Sequence, residues 1–269
     1  MTTNNGIRLD AWLVQNGYAS GREKAKELIA ADFVSVDGRP IKKASFIVAP
    51  TMMVNCTAPT QKYVGRGGYK LEKALALVGV SADGATCMDV GSSTGGFTDC
   101  MLQNGAAHVY AVDVGHDQLH PRLRADSRVT VLEGTDVRGD ALREAVAAGS
   151  IGFCSVDVSF VSLTNVLPSV VSFLREDATL VCLIKPQFEA GVADIGKHGV
   201  VKDRRAHIRV LREMMALFDS LRLPLVHLTY SPITGGEGNI EYLAVLGACG
   251  TPTVTDVAAV VEEAFARLK

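Results

Sequence analysis

Four charged residues, Lys70 in RGGYKL, Asp157 in SVDVSF, Lys185 in LIKPQFE and Glu241 in GNIEYL, lie far apart in the chain, each where a strand or helix should end. Gathered by a fold, two lysines and two carboxylates can manage the proton of a weakly acidic hydroxyl while a group is transferred to its oxygen. A lysine kept partly neutral by burial and by a neighbouring cation could accept that proton. On this reading Lys185 is the base or the hydroxyl-orienting group, Lys70 and Glu241 position it, and Asp157 organises both lysines. Each also has an ordinary alternative: Lys70 as a solvated helix residue, Asp157 as a cap for a helix beginning near Ser162, Glu241 as an edge-strand charge. Lys185 is harder to set aside, because it follows Leu-Val-Cys-Leu-Ile directly and leads into Pro186.

A second chemical feature follows the apolar run TCMDV at 86–90. In GSSTGGFTDC, Gly91, Gly95 and Gly96 permit a tight turn and close approach of a ligand to bare backbone. The spacing G-x-x-x-G-G is not the dinucleotide pattern G-x-G-x-x-G, and no Lys-Ser or Lys-Thr follows as in a P-loop. Asp113 ends the next apolar run, 22 residues after Gly91, where a carboxylate can accept both hydroxyl protons of a cofactor ribose. Asp136, in EGTDVR, is placed to reach an adenine amino group. Capping a helix is the plainer role for either.

These residues need a scaffold that brings strand ends together. Apolar runs at 86–90, 108–114, 129–132, 151–158, 179–184, 225–230 and 240–247 alternate with helical patterns near 69–79, 97–104, 139–148, 163–174 and 203–221. Such alternation implies an α/β domain with a mostly parallel, doubly wound sheet, whose ligands bind at the carboxyl ends of the strands. The loop SPITGGEGN joins the last two strands without a helix, so they should pair antiparallel. That brings Glu241, at the start of the final strand, to the edge occupied by Asp157 and Lys185. Gly191, Gly196 and Gly199, in FEAGVADIGKHGVVKD, suit either a lid that orders on RNA binding or a plain flexible connection.

The front of the chain differs. Residues 1–70 hold ten Lys or Arg against five Asp or Glu, whereas residues 71–269 hold seventeen against twenty-four. A basic module on an acidic body suggests a polyanion-binding unit joined to something else. RLDAWLVQNGY places Leu9, Trp12 and Leu13 at helical spacing and stops at Asn16-Gly17, a C-terminal cap. Ser20 and Glu23 match a capping box for a second helix that buries Ala25, Leu28 and Ile29. FVSVDGRPI reads as a hairpin around Asp37-Gly38. Arg8, Arg22, Lys24, Lys26, Arg39, Lys42 and Lys43 decorate this unit and could contact a phosphate backbone, or could be solvated helix faces. The linker is placed at 59–64, between a small domain at 1–58 and a larger one at 65–269.

With these motifs in view, R-L-D-x-W-L through V-x-V-D-G, over about residues 6–56, resembles the small RNA-binding domain named after a small-subunit ribosomal protein. The glycine turn and second-strand acid resemble the Rossmann-like fold of S-adenosylmethionine-dependent methyltransferases. RGGYKL, DVGSSTGGFTD, VDVGHDQL, DVSF, IKPQFE and GNIEYL together resemble the TlyA or haemolysin A family, whose larger half is similar to ribose methyltransferases of the FtsJ type. The resemblance implies a Lys-Asp-Lys-Glu set at Lys70, Asp157, Lys185 and Glu241, and 2′-O-methylation of cytidine in ribosomal RNA. It implies an S-adenosylmethionine site at Asp89, Gly91, Ser92, Thr94, Gly95, Gly96, Phe97, Asp113, Val114, Asp136 and Val137, with Arg66 on the RNA side and no metal. Asp89 would sit near the cofactor's ammonium or order the loop. Gly65, where a serine is usual, and His116-Asp117, in place of Tyr-Gly, depart from the pattern without removing a catalytic group.

Other classes fare less well. No run approaches the ~18 apolar residues of a spanning helix, and MTTNNGIRLD carries no signal segment, so a cytoplasmic location is expected. The cysteines at 56, 87, 100, 154, 182 and 249 lack a C-x-x-C pair and are expected to be buried thiols rather than a zinc site. Direct membrane lysis would need RAHIRVLREMMALFDSLR as its segment, yet Ile208, Leu211, Met214, Met215 and Phe218 should face the sheet. A non-catalytic RNA-binding protein would be expected to have lost the charged quartet.

Overall fold

The computed structural model describes residues 6–19, 21–57, 62–247 and 256–268. The chain divides into two compact units, Met1–Lys62 and Tyr63–Lys269.

In the first unit, strand β1 (Ile7–Arg8) leads into helix α1 (Leu9–Gln15), followed by α2 (Arg22–Ala30), β2 (Val34–Val36), β3 (Arg39–Pro40), β4 (Ile47–Val48) and β5 (Val54–Cys56). β3, β2 and β5 form one antiparallel sheet, and β1 pairs with β4. Leu9 and Leu13 of α1 and Ala25, Leu28 and Ile29 of α2 pack on Val34, Val36 and Val48. Asp37 and Gly38 both have positive φ, 48° and 77°, the geometry of the tight turn that their pairing predicts. The chain enters α2 from extended Gly21 without a side-chain cap, and Ser20, the proposed capping-box residue, lies outside the described residues. So do linker positions 59–61 and Cys249.

The second unit runs α3 (Gly67–Val78), β6 (Thr86–Val90), α4 (Gly96–Gln103), β7 (His108–Asp113), α5 (Pro121–Arg124), β8 (Val129–Glu133), α6 (Asp140–Ala145) and β9 (Ile151–Val156). It continues with α7 (Leu163–Val171), β10 (Leu174–Ile184), α8 (Pro186–Glu189), α9 (Arg204–Ser220), β11 (Leu225–Tyr230), β12 (Tyr242–Gly247) and α10 (Val257–Arg267). The seven strands order as β11-β12-β10-β9-β6-β7-β8. β10, β9, β6, β7 and β8 are parallel, and β12 inserts antiparallel between β10 and β11. The direction of winding reverses at β6, so the crevice beyond its carboxyl end is the expected ligand site.

The central strands β6, β9 and β12 and the second half of β10 are buried on both faces, which explains their near-continuous apolar runs. Val181, Leu183, Leu243 and Val245 face α3 and α4, while Cys182, Ile184, Ala244 and Leu246 face α7, α9 and α10. Leu211, Met214 and Phe218 of α9 are in the second of these cores, so its apolar stripe serves as a crossover face. Helix α10 was not expected; its Val257, Val261, Ala264 and Phe265 extend the same core. Strand β10 begins at Leu174, earlier than the apolar run, and slips in register against β9 between Leu174 and Thr179. Asp157 stands just past β9 and Glu241 just before β12, each one step outside the strand it was assigned to.

Candidate active site

The turn after β6 is shaped by what presses on it. Gly91 has φ 83°, and a Cβ there would lie 2.4 Å from the Asp157 carbonyl oxygen. Its N–H donates to Val112 O at 2.8 Å, and Asp157 N–H donates to Val90 O at 2.9 Å, so the turn is pinned between β7 and β9. A Cβ on Gly96 would meet Gly68 N at 2.9 Å, which lets the first turn of α4 rest on the Arg66-Gly67-Gly68 segment that carries Lys70. Ser92 is buried and its Oγ has no hydrogen-bond partner, a polar atom placed to meet a ligand at the turn.

Asp89 is fully buried; Thr98 Oγ1 and Ser155 Oγ donate to it at 2.7 and 2.8 Å. Burial pushes its carboxyl up to about 6. Its two partners lie on α4 and β9, behind the turn. Asp113 accepts from Ser93 N–H at 2.8 Å and Gly115 N–H at 2.7 Å, closing the turn around its carboxylate. Arg138 contacts both oxygens of Asp136 and holds it below the usual carboxylate range. Val137 is buried, whereas Val114 is 70% exposed beside Asp113. These four residues are not in the cavity that the turn borders.

That cavity, about 530 Å³, is lined by Gly91, Ser92, Thr94, Gly96 and Phe97 on one side and by all four charged residues on the other. It falls in the ordinary range for small-molecule sites. The quartet forms two ion pairs. Lys185 Nζ lies 2.6 Å from Asp157 Oδ1 and donates to Ser159 Oγ at 2.9 Å. Lys70 Nζ donates to Glu241 Oε2 at 2.7 Å, while Gln187 Nε2 donates to Oε1 at 3.2 Å. Asp157 thus meets Lys185 alone, and the expectation that it organises both lysines is corrected: Gly91 holds the Asp157 backbone on the turn side, and Glu241 takes Lys70. Lys70, Lys185 and Glu241 are buried, at 8%, 8% and 2% exposure. Asp157 Oδ1 and Gln187 Oε1 lack hydrogen-bond donors; the Lys185 contact to Asp157 is one of charge, outside hydrogen-bond angles.

Several of these residues escaped sequence reasoning. Ser159 and Gln187 stand beside Asp157 and Lys185 in DVSF and KPQFE, so proximity was the only signal. Phe160 is 91% exposed with φ 63°, its ring 5.1 Å from that of Phe188, and both line the cavity. An exposed aromatic in a strained backbone at a cavity mouth offers a stacking surface. Asn239 is buried and ties the glycine-rich segment after α8 to the last strand. It donates to Gly199 O at 3.0 Å and accepts from Val201 N–H at 3.2 Å. Buried His207 donates from Nε2 to Val201 O at 2.9 Å, which makes Nδ1 the acceptor from Tyr242 O–H at 2.8 Å; burial keeps the ring neutral. The segment is therefore clamped next to Glu241 rather than hanging as an open strap.

In the first unit, the basic candidates are partly engaged: Arg8 with Asp10, Lys24 with Glu27, Lys26 with Glu23 and Lys42 with Asp32. Arg22, Arg39 and Lys43 are exposed, as is Arg66 at the cavity of the second unit. Among the described residues no group of His, Cys, Asp or Glu is arranged to hold a metal. None of the five described cysteines is in a disulfide; burial raises the thiol of Cys87 to about 12 and also raises those of Cys154 and Cys182, which keeps these three inert.

Residues 63–248 match the FtsJ-like methyltransferase family and residues 7–54 the S4 domain. The chain is 43% identical over 241 residues, 90% of its length and 85% of the relative's, to a Bacillus subtilis protein provisionally named rRNA methyltransferase YqxC. It is 41% identical over 236 residues, 87% of each chain, to the 16S/23S rRNA (cytidine-2′-O)-methyltransferase TlyA of Mycobacterium tuberculosis. A solved structure from Streptococcus thermophilus, provisionally described as a hemolysin, superposes with a TM-score of 0.74 at 38% identity, covering 98% of both chains.

Proposed function

Because the chain belongs to the FtsJ-like methyltransferase family and carries an S4 domain, we propose that it is an S-adenosylmethionine-dependent enzyme that methylates ribose 2′-hydroxyls of ribosomal RNA, at cytidine. The observation that carries this reading is the pair of buried lysine–carboxylate contacts across one cavity from the glycine turn. The turn from Gly91 to Gly96, with the unpartnered Ser92 Oγ and the open N-terminus of α4, fits the amino-acid end of S-adenosylmethionine. Asp113 and the exposed Val114 are the groups for its ribose and adenine side. Bound there, S-adenosylmethionine supplies an electrophilic methyl group on a positively charged sulfur.

Lys185 Nζ meets the 2′-hydroxyl. Ser159 Oγ takes one of its N–H bonds and Asp157 lies beside it as a counter-charge, leaving a direction for substrate. In its neutral form it takes the hydroxyl proton, and the ammonium that results sits 2.6 Å from Asp157. The Lys70–Glu241 pair, braced by Gln187, positions the ribose opposite the turn, and Phe160 with Phe188 offers a face for a base. Holding the hydroxyl in line is worth as much as the proton transfer. A ribosomal RNA substrate supports a cytoplasmic location. Membrane lysis is disfavoured: among the described residues no helix is long and apolar enough to cross a membrane, and the stripe of α9 is used by the core.

The test is transfer of labelled methyl groups from S-adenosylmethionine to ribosomal RNA, followed by mapping of the modified atom. A 2′-O-methylcytidine product is expected; label on a base atom, or dye release from liposomes without any methyl transfer, would overturn the reading.

A further inference from the structure

The acidic second unit has one basic flank. Between Gly191 and Arg212 the bases are Lys197, Lys202, Arg204, Arg205, Arg209 and Arg212, all exposed, and the acids only Asp194 and Asp203. Many arginines elsewhere in this unit are matched to carboxylates, as Arg122 is to Asp99, Arg124 to Glu133 and Arg138 to Asp136. Lys24 and Lys26 on α2 and Arg143 on α6 pair with acids three residues away. A solvated crossover helix is expected to look like those. On α9, Arg204 pairs with Glu262, but Arg205 and Arg212 have no carboxylate in ion-pair range among the described residues, and with Arg209 and Glu213 they border a shallow groove containing Ile208 and Ala216. The spacing 205, 209, 212 sets the three on one face.

This face is continuous with the catalytic rim. Arg209 bridges Glu213 of its own helix and Asp194 of the preceding segment, whose Ile195, His198 and Gly199 line the cavity. The helix starts from the carboxyl-end edge of the sheet, one short segment after Lys185, and His207 fastens its first turns to Val201.

We infer that the outer face of α9, centred on Arg205 and Arg212, is a contact for the phosphate backbone of the RNA whose target nucleotide occupies the cavity. Guanidinium forks suit phosphate oxygens, and unpaired ones give up no internal ion pair on binding. The inference rests on the RNA methyltransferase reading and adds to it a second polyanion surface, outside the N-terminal unit.

The experiment uses the full chain with Arg205→Gln/Arg212→Gln and Arg205→Glu/Arg212→Glu, titrated with deproteinised ribosomal RNA over a salt series. The slope of log affinity against log salt should become shallower by about one to two, the weight of two lost phosphate contacts. Affinity at low salt should fall about tenfold or more for the charge reversal. KM for RNA should rise while kcat at saturating RNA, S-adenosylmethionine affinity and melting temperature hold, since neither side chain has an intramolecular ion pair to lose. An unchanged salt slope and affinity would overturn the inference. So would weaker binding to assembled ribosomal subunits with bare RNA unaffected, which would mark a protein contact. Failure of the underlying reading shows separately, as absence of methyl transfer by the unaltered protein.

Discussion

Removing one member of the Lys70–Glu241 pair should damage the fold as well as the chemistry. Glu241 is 2% and Lys70 8% exposed, and their atoms are 2.7 Å apart. Glu241→Ala leaves an ammonium facing Gln187 and a hole where the carboxylate stood, a change that costs about 3–5 kcal/mol for buried pairs. In a unit of this size about 1 kcal/mol moves the melting temperature by about 2–4 °C, so a drop of about 10 °C is expected by calorimetry. Lys70→Met/Glu241→Leu removes both charges and should recover most of that loss, because a well-packed apolar pair often replaces a buried ion pair at little cost. It should nonetheless remain inactive, separating stability from catalysis. A Glu241→Ala loss under about 1 kcal/mol, or additive effects of Lys70→Met and Glu241→Leu, would refute the reasoning that these charges hold each other in a dry site.

Asp89 gives a pH prediction with a definite sign. Its folded value lies above the free one, so the folded state holds an extra proton between pH 3.8 and about 6. Its contribution is full below that window and is lost as pH rises through it, by an order of magnitude of about 3 kcal/mol. Asp89→Asn should flatten this part of the stability curve, and parallel urea-derived curves for the two proteins would contradict the assignment. Gly91→Ala should lower stability and S-adenosylmethionine affinity together, since φ 83° and the Asp157 carbonyl oxygen leave no room for a methyl group; cofactor affinity unchanged in calorimetric titration would count against that. Asn239→Ala frees Gly199 and Val201, and steady-state kinetics should show KM for RNA raised several-fold with S-adenosylmethionine affinity intact. Equal loss of both would point to general unfolding instead.

The central strands were legible because both their faces are buried, which writes them as apolar runs, and the antiparallel last strand followed from a helix-free connection. Helix α10 escaped because its stripe of Val257, Val261, Ala264 and Phe265 is short and follows a polar stretch. The four charged residues could be named from their places at strand ends and, for Lys70, at the start of α3, but not their pairing. That depends on side-chain reach across β9, β10 and β12, and on Gly91 pressing against Asp157, which no local pattern encodes. The contact of Arg138 with the Asp136 carboxylate was illegible for a related reason, since neighbouring side chains settle such contacts in three dimensions. Asn239, Gln187 and Ser159 carry no motif of their own and become visible only through the atoms they hold.

The most direct test of the account is the rate of methyl transfer to ribosomal RNA by Lys185→Ala, measured with affinities for S-adenosylmethionine and RNA in the same preparation. Loss of a positioned proton acceptor typically removes about 10²–10⁴-fold in rate, so the variant should bind both partners normally and transfer methyl groups to the 2′-oxygen at least about a hundredfold more slowly. Transfer to the same oxygen at an undiminished rate would contradict the central claim.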